Sequence, residues 1–189
     1  MQNNNDLSVL TEAYRLLISN IGEDLNREGL IKTPQRAAKS FLYLTRGYNA
    51  DPTEILQEAI FTADPKKHMI MIESIDIYSL CEHHLLPFFG KAFLAYFPDK
   101  KIVGLSKIPR FIEALSSRLQ VQETLTIQIL NHFQEALAPN GIAVALQCKH
   151  LCMSMRGVKQ QGSITTTTAF NGVFDSTEHQ KSFLSLINK

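Results

Sequence analysis

Residues 69–97 read MIMIESIDIYSLCEHHLLPFFGKAFLAYF, and this stretch largely decides the fold class. Met69–Ile72, Ile75–Tyr78 and Lys91–Phe97 are rich in β-branched, aromatic and other apolar residues, which is typical of strands. Pro98 and Asp99 follow with turn chemistry. The stretch therefore predicts two strands, with a cysteine and two histidines between them.

Helical patterns lie on both sides of these strands. Apolar residues recur at three- and four-residue steps from Leu7 to Leu25, and Gly29 can end that helix. Further helices are predicted to start at Thr33-Pro34, Asp51-Pro52, Ser106 and Asp175–Glu178, and another covers Leu125–Leu137. Further strands are predicted at Ile142–Gln147 and Ser163–Phe170. This order of elements predicts an α+β fold rather than a doubly wound parallel sheet.

The composition excludes several classes of protein. The chain has 189 residues, 44% of them apolar and 20% charged, which suits one domain or one domain with a helical arm. Because the net charge is only +1 and no long apolar run occurs, we expect no nucleic-acid partner and no membrane segment. Three cysteines are too few for a disulfide scaffold, so we expect reduced thiols and a cytoplasmic protein.

Cysteine and histidine side chains give the strongest chemical signal. Cys81 and His84 are three residues apart, so a turn can bring the thiolate and the imidazole to one Zn²⁺ ion. His150 and Cys152 form a second cluster. A ligand set of Cys81, His84 and Cys152 leaves the fourth position of a tetrahedral ion open, which is the catalytic arrangement. Such an ion lowers the pKa of a bound water to about 7.

Two alternatives at this cluster stay open. Cys148, His150 and Cys152 share one face of a strand that runs through all three, so Cys148 could be a fourth ligand that closes a structural site. His83 and His150 are the side chains best suited to proton transfer near neutral pH. Spacing alone equally allows them to be metal ligands or hydrogen-bonded structural histidines.

Basic residues near helix starts indicate an anion site. Lys107 and Arg110 lie one turn apart after Ser106, where free N–H groups and the helix dipole favour a phosphate. Arg156 follows the second cysteine cluster, and Arg36 follows a proline at another helix start. Any one of these side chains is more often an ordinary solvated charge.

The segment around Glu123 offers a possible binding site for a base. Its carboxylate is flanked by the amides of Gln120 and Gln122, and a carboxylate can accept two N–H bonds from a guanine-type ring. Equally, an acidic residue at this position can simply complement the dipole of a helix that begins here.

Several segments, in this order along the chain, together resemble the GTP cyclohydrolase I family. They are Thr33–Arg36 (TPQR), Cys81–Phe88 (CEHHLLPF), Gly104–Lys107 (GLSK), Arg118–Glu123 (RLQVQE), His150–Met153 (HLCM), Met155–Val158 (MRGV) and Thr165–Thr168 (TTTT). The resemblance covers most of the chain, from about Gly29 to the last helix, and the joint order of the segments makes it specific.

The resemblance implies a tunnelling fold, an α+β fold in which an antiparallel sheet has helices packed on one side. It implies an N-terminal helical region over residues 1–66 and a catalytic domain over residues 67–189. It implies a homodecamer of two pentameric rings with sites at subunit interfaces. The implied activity is zinc-dependent hydrolysis of GTP at C8, with release of formate and rearrangement to 7,8-dihydroneopterin triphosphate. This is the first step of tetrahydrofolate and pterin synthesis.

The resemblance also implies roles for the candidate residues. The implied zinc ligands are Cys81, His84 and Cys152, and the implied proton-transfer groups are His83 and His150. The residues implied to bind the guanine are Glu123 and the adjacent Gln122. The residues implied to face the triphosphate are Ser106, Lys107, Arg110 and Arg156, with Arg36 from a neighbouring subunit.

Two other functions compete with this interpretation. One is a different tunnelling-fold enzyme, such as a pterin synthase with three histidine ligands or a nitrile reductase with a nucleophilic cysteine. The two cysteines with one histidine, and the basic residues, argue against both. The other is a non-catalytic zinc-binding oligomer or purine-nucleotide sensor, which gains support if Cys148 closes the metal site.

Overall fold

The structure is a computed structural model that describes residues 4–62 and 68–187. Its α-helices are α1 (Asn4–Asn20), α2 (Thr33–Leu44), α3 (Pro52–Gln57), α4 (Lys107–Ser116), α5 (Gln122–Leu137), α6 (Leu151–Ser154) and α7 (Thr177–Ile187). Its strands are β1 (Ile60–Thr62), β2 (Ile70–Cys81), β3 (Pro87–Phe97), β4 (Lys101–Val103), β5 (Leu119–Gln120), β6 (Gly141–His150) and β7 (Thr165–Gly172). Within these described ranges, no helix is both long enough and apolar enough to cross a lipid bilayer.

The chain divides into two compact units, Met1–Arg46 and Gly47–Lys189. In the first unit α1 packs against α2, and the rings of Tyr14 and Phe41 meet edge to face with 6.5 Å between their centroids. The predicted domain boundary between residues 66 and 67 lies outside the described residues, so the two predicted domains stay a prediction.

Helix α1 is shorter than its apolar pattern predicted. It ends at Asn20 because Gly22 adopts a φ of +89°, a conformation open to glycine at little cost. The N–H of Glu23 then donates to Ile18 O at 3.3 Å, which is a common way for a helix to end. The prediction that this helix continues past Leu25 is therefore wrong.

The larger sheet has five strands in the order β5-β2-β3-β6-β7. The pairs β2–β3, β3–β6 and β6–β7 are antiparallel, and the short strand β5 pairs in parallel with β2. The two predicted stretches of β2 form one strand with an irregularity between Ile72 and Ile75. Strands β1 and β4 form a separate two-stranded sheet. The predicted α+β class is confirmed.

Alternate residues of the sheet enter two different clusters of buried side chains. On one face, Leu94 and Tyr96 of β3 pack with α4 and α5, and the Tyr96 ring lies 5.0 Å from that of Phe133. On the other face, Phe93 packs in a cluster that contains Phe183 of α7. The sheet therefore carries α4 and α5 on one side, as the resemblance implied, and α7 on the other.

Two of the predicted helix caps differ in their chemistry. Asp51 caps α3, since its carboxylate accepts from the N–H groups of Thr53 at 2.8 Å and Glu54 at 3.2 Å. Ser106 stands at the start of α4, but its side chain makes no capping hydrogen bond. The first N–H groups of α4 are therefore not satisfied by that hydroxyl.

Candidate metal centre and active-site cleft

The turn between β2 and β3 brings Cys81 and His84 together. Strand β2 ends at Cys81, whose carbonyl oxygen accepts from the N–H groups of His84 at 3.3 Å and Leu85 at 2.8 Å. Leu85 has a φ of +55°, and the N–H of Cys81 donates to Leu86 O at 2.9 Å. In this tight turn Cys81 Sγ lies 3.7 Å from His84 Nδ1.

Cys152 completes a set of three possible metal ligands. It lies on α6, and the ligand atoms of Cys81, His84 and Cys152 are all within 4.8 Å of one another. Zinc bonds of about 2.3 Å to sulfur and about 2.0–2.1 Å to nitrogen place tetrahedral ligand atoms about 3.6–3.8 Å apart. The 3.7 Å between Cys81 Sγ and His84 Nδ1 fits that geometry. The three side chains could therefore hold one ion.

The electrostatics of the two thiols also suit a cation. Burial, followed by the neighbouring Cys81 thiol, raises the pKa of Cys152. Two thiolates at this separation repel each other, and a positive ion between them removes the repulsion. The charge of Arg156 acts in the opposite direction and lowers the pKa of Cys152.

Cys148 does not belong to this group. It is 1% exposed and packs in the hydrophobic core, where burial raises the pKa of its thiol to about 12. The premise that one strand carries Cys148, His150 and Cys152 is wrong, because β6 ends at His150 and α6 begins at Leu151. Among the described residues, the group that could hold a metal at this site thus has three ligands and not four.

The imidazole of His150 is held in place by the ring of Phe88 and the side-chain amide of Gln122. Its imidazole is stacked on the Phe88 ring, with 4.8 Å between centroids and 8° between planes. Its Nε2 lies 2.7 Å from Gln122 Oε1. Burial lowers the pKa of His150, and the negative charge of Glu123 partly opposes that effect. The imidazole is therefore fixed both in plane and in rotation.

Gln122 is buried and fully engaged with the protein. It is 1% exposed at the first position of α5. Its Nε2 donates to Leu146 O at 3.2 Å, Thr165 O at 3.0 Å and Thr167 Oγ1 at 3.0 Å. Both ends of the amide are thus engaged by protein atoms, although the resemblance implied that Gln122 lies at the guanine.

These side chains surround a cleft of about 230 Å³. Its lining residues are Cys81, His83, His84, Gln120, Val121, Gln122, Glu123, His150, Cys152, Met153 and Thr165. Glu123 is exposed in the first turn of α5. His83 Nδ1 lies 3.8 Å from Cys81 Sγ, but its side chain is 62% exposed and it is not part of the three-ligand group. The cleft therefore combines a possible metal centre, two histidines and one carboxylate.

Comparison with known proteins places the chain among known enzymes. A family model described as GTP cyclohydrolase I matches residues 10–188. The chain belongs to the GTP cyclohydrolase I family. The resemblance seen in the sequence is thus confirmed, and the chain is an enzyme of the cyclohydrolase type.

Individual relatives match over nearly the whole chain. GTP cyclohydrolase 1 of Chlorobium chlorochromatii (strain CaD3) is 53% identical over 181 residues, which cover 95% of this chain and 81% of that protein. GTP cyclohydrolase 1 of Bacteroides fragilis (strain YCH46) is 49% identical over 183 residues, which cover 97% and 94%. A crystal structure of archaeosine synthase QueF-Like in the apo form has a TM-score of 0.44 at 14% identity, over 55% of this chain and 93% of that one.

The basic residues of α4 lie outside the cleft lining. Lys107 is in the first turn of α4, and its Nζ pairs with the carboxylate of Glu58 just after α3. The hydrogen bond and charge of Lys107, with a smaller contribution from Arg110, hold the pKa of Glu58 below its usual range. Within one chain, the charges of Lys107 and Arg110 therefore act on the carboxylate of Glu58.

The other expected anion-binding residues are spread over the chain. Ser106 immediately precedes α4, and Arg156 follows α6, close enough to affect the pKa of Cys152. Arg36 is on α2, in the first of the two compact units. None of these three is among the described residues that line the cleft.

Two features that organise the site are not apparent from the sequence motifs. Phe88 is the last residue of the motif Cys81–Phe88, and in the structure it stacks on the imidazole of His150. The run of threonines in β7 had no role, yet Thr165 and Thr167 contact the Gln122 amide while Thr166 and Thr168 are exposed. The period-two alternation of β7 was the signal that could have separated these two pairs.

Proposed function

We propose that this enzyme catalyses zinc-dependent hydrolysis of GTP at C8 of the guanine ring, releases formate and rearranges the product to 7,8-dihydroneopterin triphosphate. The observation that carries this proposal is the convergence of Cys81, His84 and Cys152 beside His150 in one cleft. Family membership and the name of the relatives, GTP cyclohydrolase 1, support GTP as the substrate.

The donor set supports zinc as the metal. Two thiols and one imidazole are donors that Zn²⁺ binds well, and three protein ligands leave one tetrahedral position for water or substrate. Bound by Cys81, His84 and Cys152, zinc supplies a Lewis acid that activates water at neutral pH. The position of Cys148 in the core favours this open arrangement over a closed structural one.

The histidines of the cleft are the proposed proton-transfer groups. His150, fixed by Phe88 and Gln122, protonates N7 as water attacks C8, and the imidazole ring of the purine opens to a formamide. A second hydrolysis releases formate. The ribose, still bonded to the former N9, then opens and rearranges to a ketone, and the freed former N7 amine closes onto the ketone carbon with loss of water. His83, in the same turn as His84, is the second proposed group.

Glu123 is the proposed anchor for the guanine. Its carboxylate lines the cleft at the start of α5 and can accept two N–H bonds from the pyrimidine edge of the base. A base held at that edge presents C8 on its opposite side. Holding the base at one end and the triphosphate at the other keeps C8 beside the metal and so lowers the entropic cost of reaction.

The triphosphate site is proposed to need a neighbouring subunit. The residues assigned to it are Ser106, Lys107, Arg110, Arg156 and Arg36. Lys107 pairs with Glu58 in its own chain, and the α4 residues do not line the cleft. This supports a homo-oligomer in which one chain supplies the metal centre and another supplies cations. We propose two pentameric rings forming a decamer, with mass measured by light scattering as the test.

The product of the proposed reaction indicates the biosynthetic pathway in which the enzyme acts. 7,8-Dihydroneopterin triphosphate is the starting compound of tetrahydrofolate and pterin synthesis, of which this reaction is the first step. We place the enzyme in the cytoplasm, where the free cysteines Cys81, Cys148 and Cys152 stay reduced.

Incubation with GTP tests the proposal. Formate is measured directly, and the second product becomes a fluorescent pterin after oxidation and dephosphorylation. We expect both products from the wild type and neither from Cys152→Ala, which loses the metal. Cys148→Ala is the matched control and should retain both. Full formate release by a metal-free Cys152→Ala protein would refute the zinc role. No formate from a zinc-loaded wild type would instead favour the non-catalytic zinc-binding oligomer or nucleotide sensor.

A further inference from the structure

The hydrogen-bond partners of Gln122 determine which way its amide points. Its Nε2 is within 3.0–3.2 Å of Leu146 O, Thr165 O and Thr167 Oγ1. Two of these acceptors are carbonyl oxygens, which have no hydrogen to donate, so the NH₂ end of the amide must face them. The amide oxygen is therefore the atom that faces His150 Nε2 at 2.7 Å.

Two threonine hydroxyls continue the same hydrogen-bond network. Thr126 Oγ1 donates its only hydrogen to Gln122 O at 2.8 Å. The 2.7 Å bond between Thr126 and Thr167 must then be donated by Thr167, whose oxygen stays available as an acceptor for Gln122 Nε2. The two hydrogens of Gln122 Nε2 are thus shared among three acceptors, and a reversed amide would set its oxygen against two carbonyl oxygens.

This network dictates how the imidazole of His150 is protonated. An amide oxygen only accepts, so Nε2 of His150 must carry a hydrogen. Phe88 fixes the plane of the ring, and within the described part of the chain Nδ1 has no hydrogen-bond partner. Since His150 lines the cleft, Nδ1 is the ring nitrogen left for the substrate.

We propose that Gln122 is a positioning residue that keeps one hydrogen on Nε2 of His150, so that the proton given to the substrate leaves from Nδ1 of the doubly protonated ring and the neutral Nε2–H form remains. Thr167 supports this role by holding the Gln122 amide. The proposal rests on the proposed function for the identity of the substrate. It gives Gln122 a different role from the guanine contact that the resemblance implied.

Steady-state kinetics with GTP separate the two roles of Gln122. Gln122→Met keeps the length of the side chain but removes the amide. We expect kcat for formate release to fall about 10²-fold, the lower end of what general acid–base catalysis contributes. The KM for GTP should stay within about twofold, because the amide is engaged by protein atoms and not by the base. A raised KM with unchanged kcat would make Gln122 a guanine ligand and overturn the proposal.

The threonines of β7 provide a graded test with a matched control. Thr167→Val removes the hydroxyl that holds Gln122 and should lower kcat about tenfold, the smaller end of the effect seen when a hydrogen-bond partner of a metal-bound histidine is removed. Thr167→Ser keeps the hydroxyl and should restore kcat. Thr166→Val makes the same change one residue away on the exposed face of β7 and should behave as wild type. Equal losses in Thr167→Val and Thr167→Ser would contradict the hydroxyl's role.

A tautomer measurement tests the proposal without turnover. In zinc-loaded enzyme labelled with ¹⁵N-histidine, long-range ¹H–¹⁵N spectra show which ring nitrogen carries the hydrogen, and His150→Asn identifies the resonances of His150. We expect Nε2–H in the wild type and loss of that preference in Gln122→Met. The proposal is overturned if His150 of the wild type carries its hydrogen on Nδ1. It is also overturned if a folded Gln122→Met variant keeps the same His150 tautomer as the wild type. If Gln122→Met does not assemble, the wild-type tautomer and the Thr167 variants decide. An Nε2–H wild type that releases no formate from GTP contradicts only the proposed function.

Discussion

Replacing Cys148 and Cys152 one at a time decides whether the metal site is open or closed. Burial moves the pKa of Cys148 from its ordinary 9.0 to about 12. At about 1.4 kcal/mol for each pKa unit, ionising this thiol costs about 4 kcal/mol more than ionising it in water. Because metals bind the thiolate, that cost opposes any role of Cys148 as a ligand. Cys152 lies with Cys81 and His84 instead.

Metal content and thiol titration give the readout. We expect one zinc per chain in the wild type and in Cys148→Ala, and none in Cys152→Ala. With chelator under anaerobic conditions, DTNB should react rapidly with two thiols in the wild type, two in Cys148→Ala and one in Cys152→Ala. Cys148→Ala should cost about 1 kcal/mol of unfolding free energy, as for removal of one methyl-sized group from a core. Loss of zinc in Cys148→Ala, or three fast thiols in the wild type, would refute the open three-ligand site.

Three further predictions concern charges and stability. The pKa of Cys148 is higher in the folded chain than in the unfolded one, so its contribution to stability is complete below about pH 9. Between about pH 9 and pH 12 that contribution falls by about 1.4 kcal/mol per pH unit. Urea unfolding should therefore show a shallower decline of the unfolding free energy with pH in Cys148→Ala than in the wild type. Glu58→Gln releases Lys107 from its ion pair and should lower the KM for GTP about two- to fivefold at low salt. Asp76→Asn removes a carboxylate from another exposed ion pair and should leave the KM unchanged. An unchanged KM in Glu58→Gln would remove Lys107 from the proposed triphosphate site. Asp51→Ala leaves two N–H groups of α3 without their acceptor and should lower the unfolding free energy, measured by heat or urea, by about 1 kcal/mol. Asp51→Asn should recover most of that loss. An Ala variant as stable as the wild type would contradict the cap.

The long elements of the fold could be predicted from the sequence because their patterns are long. Helix α5 carries apolar residues at a four-residue step, and strand β3 is a run of apolar and aromatic residues followed by the turn residues Pro98 and Asp99. The two-residue strand β5 and three-residue strands β1 and β4 are too short for any period to be visible. Their existence depends on pairing partners far away in the chain, which a local pattern does not contain.

Of the proposed metal ligands, a local sequence pattern can predict one pair but not the third residue. The turn that joins Cys81 to His84 is local, so spacing alone made that pair a good candidate. The choice between Cys148 and Cys152 depends on where β6 ends, and nothing in the sequence around His150 marks that end with a glycine or proline. The structure separates the two cysteines because the chain turns into α6 directly after His150.

The short strand β5 explains why Glu123 lies beside the turn that carries Cys81 and His84. Leu119 and Gln120 pair in parallel with the last two residues of β2, and the N–H of Glu82 donates to Gln120 O at 3.1 Å. Helix α5 begins two residues later, so Glu123 projects near the turn that carries Cys81 and His84. The carboxylate of Glu123 and the thiol of Cys81, about 40 residues apart in the chain, are thus held together by a strand of two residues. The geometry of the cleft therefore depends on backbone hydrogen bonds at one edge of the sheet as much as on the ligand side chains themselves.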